Sequence, residues 1–114
     1  MLTITEIQKA VNLIAPQYPI NVVQLFGSYA EGKANTNSDV DVLVEFKERP
    51  VTLLDYCGFQ QELSELLNVN VDILKLPLSE ITKRDLSINK VVNLYGWSHK
   101  KRWNNNKKDE LEDN

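Results

Sequence analysis

The sequence predicts a small domain that mixes helices and strands, an α/β (α+β) fold in which a few strands form one mixed sheet with flanking helices. Short apolar runs rich in β-branched residues alternate with segments in which apolar residues recur every three or four positions. The 114 residues leave room for one modest core, so a second, substrate-binding domain does not fit.

The first predicted helix and strand follow one another near the N-terminus. Apolar residues recur with helical spacing over residues 4–15, and Thr3 or Thr5 is a candidate N-cap. Pro16 is expected to end this helix. Residues 20–26 form a nearly continuous apolar run, which is typical of a strand covered on both faces.

A turn and a second strand come next. Gly27 interrupts the first strand, and Ser28 is placed to cap a short helix over residues 29–33. The polar, Asn-rich residues 33–38 are predicted to be a loop. Residues 39–46 alternate between valines and other residues, which predicts a strand with one face toward the core.

The second half of the chain predicts a helix, a third strand and a last helix, over residues 51–67, 71–74 and 78–95. These elements complete a predicted domain of residues 1–96. Residues 97–114 combine charge runs and an Asn run with little apolar surface, so they are predicted to form a flexible tail. A partner-binding arm is the alternative for this tail.

Two aspartates one residue apart make the second strand a candidate metal site. Asp39 and Asp41 point to the same face of a strand, opposite to Val40. Neighbouring carboxylates repel each other and a hard divalent cation relieves that repulsion, so Mg²⁺ is the predicted occupant. Asp72 in the third strand is a third candidate acid. The alternatives are an ordinary turn at Gly27, a solvated strand edge at the paired acids and a turn residue at Asp72.

Composition limits the classes of function. The net charge is −3, and residues 1–96 hold eight basic and twelve acidic side chains, which argues against direct nucleic-acid binding. The single cysteine, Cys57, excludes an internal disulfide and fits a reducing compartment. No run approaches the roughly 20 apolar residues of a membrane span, and no secretion signal is visible. We therefore expect a cytoplasmic protein without membrane contact.

The order of these features resembles a known family. Gly27-Ser28, ten residues and then Asp39-Val40-Asp41 is similar to the GS-x10-D-x-D signature of the DNA polymerase β-like nucleotidyltransferase superfamily. The surrounding residues narrow the resemblance to its minimal nucleotidyltransferase (MNT) family. The resemblance is carried by residues 25–30, Gly32, Ala34 and residues 38–41, 53–55, 62–67 and 71–73.

The resemblance implies a polymerase β-like nucleotidyltransferase core whose sheet holds two Mg²⁺ ions and the triphosphate of a nucleotide. Asp39 and Asp41 would be metal ligands. Asp72 would be a third ligand or the base that helps to deprotonate the attacking hydroxyl. The Gly27 N–H and the Ser28 hydroxyl would hold the β- and γ-phosphates.

Glu31 departs from the family's pattern. Relatives commonly carry Arg between the Ala and the Gly of this turn, and an anion there repels a triphosphate unless it points away or contacts metal. Lys33, two residues on, is expected to substitute in part and joins the predicted nucleotide-binding set. The expected consequence is a lower nucleotide affinity with an unchanged metal site.

The resemblance also implies a partner. MNT proteins are often encoded beside a HEPN-domain ribonuclease toxin, and some neutralise it by transferring AMP from ATP to a toxin tyrosine. The implied function is therefore an antitoxin that forms a hetero-oligomer with a HEPN toxin and adenylylates it. Two alternatives stay open: a non-catalytic antitoxin that masks its toxin by contact, and the nucleotide-binding subunit of a two-chain small-molecule nucleotidyltransferase.

Overall fold

A four-stranded mixed sheet forms the centre of the molecule. The computed structural model describes residues 1–48, 50–76 and 90–96. Its elements are α1 Ile4–Ile14, a 3-10 helix Ala15–Gln17, β1 Ile20–Phe26, α2 Gly27–Ala30, β2 Val40–Phe46, α3 Leu53–Leu67, β3 Val71–Lys75 and β4 Val92–Tyr95. The strand order is β3-β2-β1-β4, with β1 antiparallel to both neighbours and β2 parallel to β3. The predicted mixed sheet is confirmed.

The main core lies between this sheet and the two long helices, α1 and α3. The helices contribute Ile7, Val11, Phe59 and Leu63, and all four are fully buried. The strands contribute alternate residues, namely Val23 and Leu25 from β1 and Val40, Val42 and Val44 from β2. Fully burying such a side chain stabilises the fold by roughly 1.5–3 kcal/mol, so this layer holds the sheet in place. The prediction that the β2 valines face the core is confirmed.

Both long helices begin with a capping box. The Thr3 side chain accepts a hydrogen bond from the Glu6 N–H, and the Glu6 carboxylate accepts one from the Thr3 N–H. Thr52 and Asp55 repeat this exchange at the start of α3. Such a cap stabilises a helix by about 1 kcal/mol. α3 ends where Asn68 adopts the left-handed conformation with φ 59°, which Asn tolerates better than most residues.

β4 corrects the prediction for the C-terminal part of the domain. The sequence predicts a helix over residues 78–95, whereas Val92–Tyr95 is a strand. The remainder of that predicted helix, residues 78–89, lies outside the described part of the chain. β4 pairs with the edge of β1 that β2 leaves open, and it buries Leu94 in the core. Asn12 of α1 donates a side-chain hydrogen bond to the Leu94 carbonyl oxygen at 2.8 Å, which ties the strand to the helix layer.

The predicted tail and the absence of a membrane span are the two remaining expectations for the chain. The predicted tail, residues 97–114, also lies outside the described residues. Within the three described ranges, none of the helices has the length and apolar character needed to cross a bilayer.

Gly96 closes β4 at a point of tight backbone contact. Its φ is +78°, and a Cβ atom placed on it would overlap the carbonyl oxygen of Asn21. Gly32 has nearly the same φ, +74°, but no neighbouring atom lies within 4 Å of the position of its Cβ. Substituting each glycine in turn therefore distinguishes the cost of backbone strain from the cost of steric overlap.

Gly96→Ala is expected to lower the free energy of unfolding by about 3–4 kcal/mol, because left-handed strain of about 1–2 kcal/mol adds to overlap with a strand backbone. Gly32→Ala is the matched control and carries the strain alone, so it should cost about 1–2 kcal/mol. Urea denaturation of the two variants and the wild type measures both costs. Equal costs would contradict the assigned contact.

Candidate active site

The turn after β1 begins a helix of four residues. α2 starts at Gly27, its N-cap is Phe26, and no side chain provides a capping hydrogen bond. The prediction of a helix over residues 29–33 capped by Ser28 is therefore wrong. The positive φ of Gly27, +76°, turns the chain immediately after the strand, so the helix begins two residues earlier. Ser28 becomes a half-buried residue of the first turn.

α2 ends in a Schellman motif that fastens Lys33 to the turn. Gly32 adopts the left-handed conformation, and its N–H donates to the Tyr29 carbonyl oxygen at 3.4 Å. The Lys33 N–H donates to the Ser28 carbonyl oxygen at 2.9 Å. The backbone of Lys33 thus lies against Ser28, and its side chain, 75% exposed, has its Nζ 3.6 Å from Glu31 Oε1.

Asp41 lies in the middle of the site. It is opposite Phe26 in the antiparallel pair with β1, and opposite Asp72 in the parallel pair with β3. Its carboxylate occupies the space that a side chain at Gly27 would need, since a Cβ atom there would overlap Asp41 Oδ2 and lie 3.2 Å from Asp41 Cγ. Gly27 is therefore required both for the turn and for the approach of the carboxylate.

Two further acids flank Asp41. Asp72 is exposed and lies directly across from Asp41 in the neighbouring strand, so the structure brings these two together. Asp39 is also exposed, but β2 begins at Val40, which places Asp39 at the end of the preceding loop instead of in the strand. Asp39 therefore lies outside the strand pairing that places Asp41 opposite Asp72.

The electrostatics of the site are dominated by Asp41. Burial, the charges of Asp72 and Asp39, and a hydrogen bond with Asp72 raise the pKa of Asp41 from 3.8 to about 6. Each cause disfavours the ionised carboxylate. A cation bound between these acids would offset the repulsion and favour the ionised form of Asp41.

The carboxylates fit a magnesium ion that is completed by a substrate. Among the described residues, no group of three or more His, Cys, Asp or Glu side chains is arranged as a ready metal site. Asp41 and Asp72 nevertheless face each other, with Asp39 close enough to shift the pKa of Asp41. Mg²⁺ commonly uses one or two carboxylates together with water and substrate phosphates, so a partial set of this size is compatible with Mg²⁺.

A cavity of about 280 Å³ lies at the other end of the sheet. Its lining includes Phe46, Val51 and Tyr56, and it contains none of the predicted site residues. Phe46 ends β2, whereas Asp41 is near the start of that strand. The candidate site is therefore the solvent-facing group of acids beside the Gly27–Ser28 turn, and not this cavity.

Comparison with known proteins agrees with the site geometry. The family described as nucleotidyltransferase domain matches residues 6–109, so the chain belongs to the nucleotidyltransferase family. The protein adenylyltransferase MntA of Thermococcus cleftensis is 35% identical over 78 residues, which cover 65% of this chain and 78% of that protein. The resemblance to the MNT family and the predicted enzyme class, nucleotidyltransferase, are confirmed.

Solved structures share the fold. A chain from a toxin–antitoxin crystal structure with AMP-PNP superposes with a TM-score of 0.65 and 22% identity, covering 90% of this chain and 80% of that one. A chain from a tri-AMPylated Shewanella oneidensis HEPN toxin in complex with MNT antitoxin gives 0.61 and 20%, covering 87% and 76%. Because both identities are low, this similarity confirms the fold of the chain and nothing beyond the fold.

Sequence reasoning named Phe26 and Gly32 only as part of the family pattern and did not predict how they shape the site. Phe26 is the N-cap of α2 and the residue opposite Asp41. Gly32 allows the Schellman motif that sets the position of Lys33. The signal for Gly32 was present, because a glycine shortly after a helix typically marks this motif. The role of Phe26 depends on strand register, which one sequence does not specify.

Asp41→Asn is expected to stabilise the metal-free protein at pH 7 by about 1–2 kcal/mol, less than the full value of the pKa shift because Asp41 keeps some contact with water. The folded pKa, about 6, lies above the ordinary 3.8. Ionisation therefore costs the folded state little below pH 4 and progressively more as the pH rises through 6.

Urea denaturation in EDTA from pH 4 to pH 7 checks this prediction. The difference between Asp41→Asn and wild type should be small at pH 4 and largest at pH 7. The exposed Glu48 provides the control, since Glu48→Gln should have little effect at either pH. A difference that does not change with pH would contradict the assigned cause.

Proposed function

We propose that this chain is an antitoxin that transfers AMP from ATP to a tyrosine of a HEPN-family toxin with which it assembles, in a Mg²⁺-dependent reaction. The observation that supports this most directly is the meeting of Gly27, Asp41 and Asp72 at one end of the sheet. The similarity to MntA supports the reaction. One structural neighbour comes from a toxin–antitoxin crystal with AMP-PNP, which supports ATP as the nucleotide. Another comes from a complex of a HEPN toxin with an MNT antitoxin, which supports a HEPN toxin as the partner.

The proposed transfer joins the tyrosine oxygen to the α-phosphorus of ATP and breaks the bond from that phosphorus to the bridging oxygen, so pyrophosphate leaves. The phenol proton must pass to a base. Asp72 is exposed beside Asp41, so a hydroxyl presented by another chain can reach it. Its alternative role is that of a third metal ligand.

The remaining residues bind and orient the nucleotide. Gly27 N–H, the Ser28 hydroxyl and the Lys33 ammonium are the proposed phosphate contacts, and the Schellman motif holds the backbone of Lys33 beside that of Ser28. Asp39 and Asp41, with Asp72 in its alternative role, would hold Mg²⁺, and two ions are expected from the family resemblance. When bound, the metal supplies positive charge that stabilises the transferring phosphoryl group.

A cytoplasmic location is also part of the proposal. ATP is a cytoplasmic substrate, and the single cysteine, Cys57, is an exposed thiol, which fits a reducing compartment.

Incubation of the purified protein with Mg²⁺, α-labelled ATP and the product of the neighbouring gene, expected to be a HEPN toxin, should label a tyrosine of that toxin. Asp41→Asn is expected to lower the transfer rate roughly 10²–10³-fold, because it removes the central carboxylate of the site. EDTA should abolish transfer and Glu48→Gln should leave it unchanged. Label transfer by Asp41→Asn at the wild-type rate would contradict the proposal.

A second candidate function is masking of the toxin by contact alone. The Glu31 carboxylate favours it, because a negative charge beside the proposed phosphate contacts opposes nucleotide binding. The two-chain small-molecule nucleotidyltransferase has no comparable support, since no described feature points to a small acceptor.

Co-expression with the toxin separates transfer from masking. If transfer is the function, the double variant Asp39→Asn with Asp41→Asn should lose protection of cell growth by at least about tenfold in viable count, while a pull-down shows that it still binds the toxin. Full protection by this variant would favour masking.

A further inference from the structure

Glu31 and Lys33 form the ion pair nearest the proposed phosphate contacts. Lys33 Nζ lies 3.6 Å from Glu31 Oε1. The two side chains differ in exposure, because Glu31 is 17% exposed and Lys33 is 75% exposed. The Glu31 side chain is therefore mostly covered by the surrounding structure, whereas the Lys33 ammonium group can turn into solvent or toward a ligand.

The backbone fixes both charges on the turn. The Glu31 N–H donates to the Gly27 carbonyl oxygen at 3.0 Å, and the Lys33 N–H donates to that of Ser28 at 2.9 Å. Gly32 between them adopts the left-handed conformation that this arrangement needs. These bonds hold the backbone of both residues beside Gly27 and Ser28, while the Lys33 side chain can still rotate.

We infer that Glu31 acts as an internal competitor for Lys33, so that nucleotide binding exchanges the Glu31–Lys33 ion pair for a phosphate–Lys33 contact and Glu31 sets the nucleotide affinity. The inference rests on the proposed function, because it assumes that the turn receives the phosphates. It assigns Glu31 as an affinity-determining residue that does not itself contact the reacting atoms.

The energetics favour such an exchange. A pair whose ammonium is mostly exposed contributes little to stability, so breaking it is easy. A triphosphate carries several negative charges and forms charge-assisted hydrogen bonds, so it attracts Lys33 more strongly than one carboxylate does. Glu31 remains near the turn after the exchange, and its charge then opposes the bound phosphates.

Other described lysines are placed less well for this role. Lys47 follows β2 and Lys75 is the last residue of β3, so both lie at the ends of these strands that are farthest from Asp41. Lys90 is the strongest alternative. It precedes β4, and Val92 of that strand lies opposite Leu25 of β1. Lys90 therefore lies at the same end of the sheet as the Gly27 turn. It serves as the matched control for Lys33.

The test is calorimetric titration of the full chain with ATP and Mg²⁺. Glu31→Gln should tighten binding roughly three- to tenfold, and Lys33→Gln should weaken it by a similar factor. In the double variant Glu31→Gln with Lys33→Gln, the gain in ATP affinity from Glu31→Gln should shrink to less than half, because no ammonium group remains to be released. With Lys90→Gln in place of Lys33→Gln, the gain should stay complete.

Three results would overturn the inference: unchanged or weaker binding by Glu31→Gln, the same gain in the Lys33→Gln background, or loss of the gain in the Lys90→Gln background. Thermal unfolding identifies misfolded variants, and if Lys33→Gln unfolds early, Lys33→Met, which also removes the ammonium group, replaces it. The charge-conserving Lys33→Arg should retain both ATP binding and the effect of Glu31→Gln.

Toxin labelling in the same preparations separates this inference from the proposed function. Transfer of AMP with no effect of Glu31→Gln on ATP affinity overturns the inference alone. Tighter ATP binding by Glu31→Gln without transfer by any variant overturns the proposed transfer alone. Absence of ATP binding by every variant overturns both.

Discussion

The contact between Gly27 and Asp41 is the constraint on which the rest of the site depends. The carboxylate stands where any other residue at position 27 would place its Cβ atom. This close approach brings the chain turn and the acidic strand together, and it exists because β1 and β2 pair with Phe26 opposite Asp41. A shift of the register by one residue would turn Asp41 toward the valine core and a valine toward the turn.

The same arrangement places three negative charges close together at one end of a small sheet. The pKa of Asp41 rises because the carboxylate is partly buried and faces Asp72 and Asp39. The fold tolerates this repulsion because the other face of the sheet is packed by α1 and α3, where Val40 and Val42 are fully buried. The acids therefore lie on a sheet that is anchored by the packing of its opposite face.

Much of the fold and part of the site could be predicted from local patterns. The first helix, its Thr3 cap and the first strand follow from apolar periodicity and local hydrogen bonding, which depend on residues a few positions apart. β4 could not be predicted in this way. Val92–Tyr95 is short, and its conformation depends on pairing with β1, about seventy residues earlier in the chain, so local preference did not reveal it.

The sequence by itself determined which chemical groups are available: a Gly-Ser turn, two acids at strand spacing and a third in a later strand, because these are properties of residue type and order. Only the tertiary structure decided which of them meet. Asp41 and Asp72 face each other because β2 and β3 are parallel in one register, while Asp39 stays outside the strand. The Glu31–Lys33 pair likewise depends on a Schellman motif, and so on the backbone conformation of Gly32.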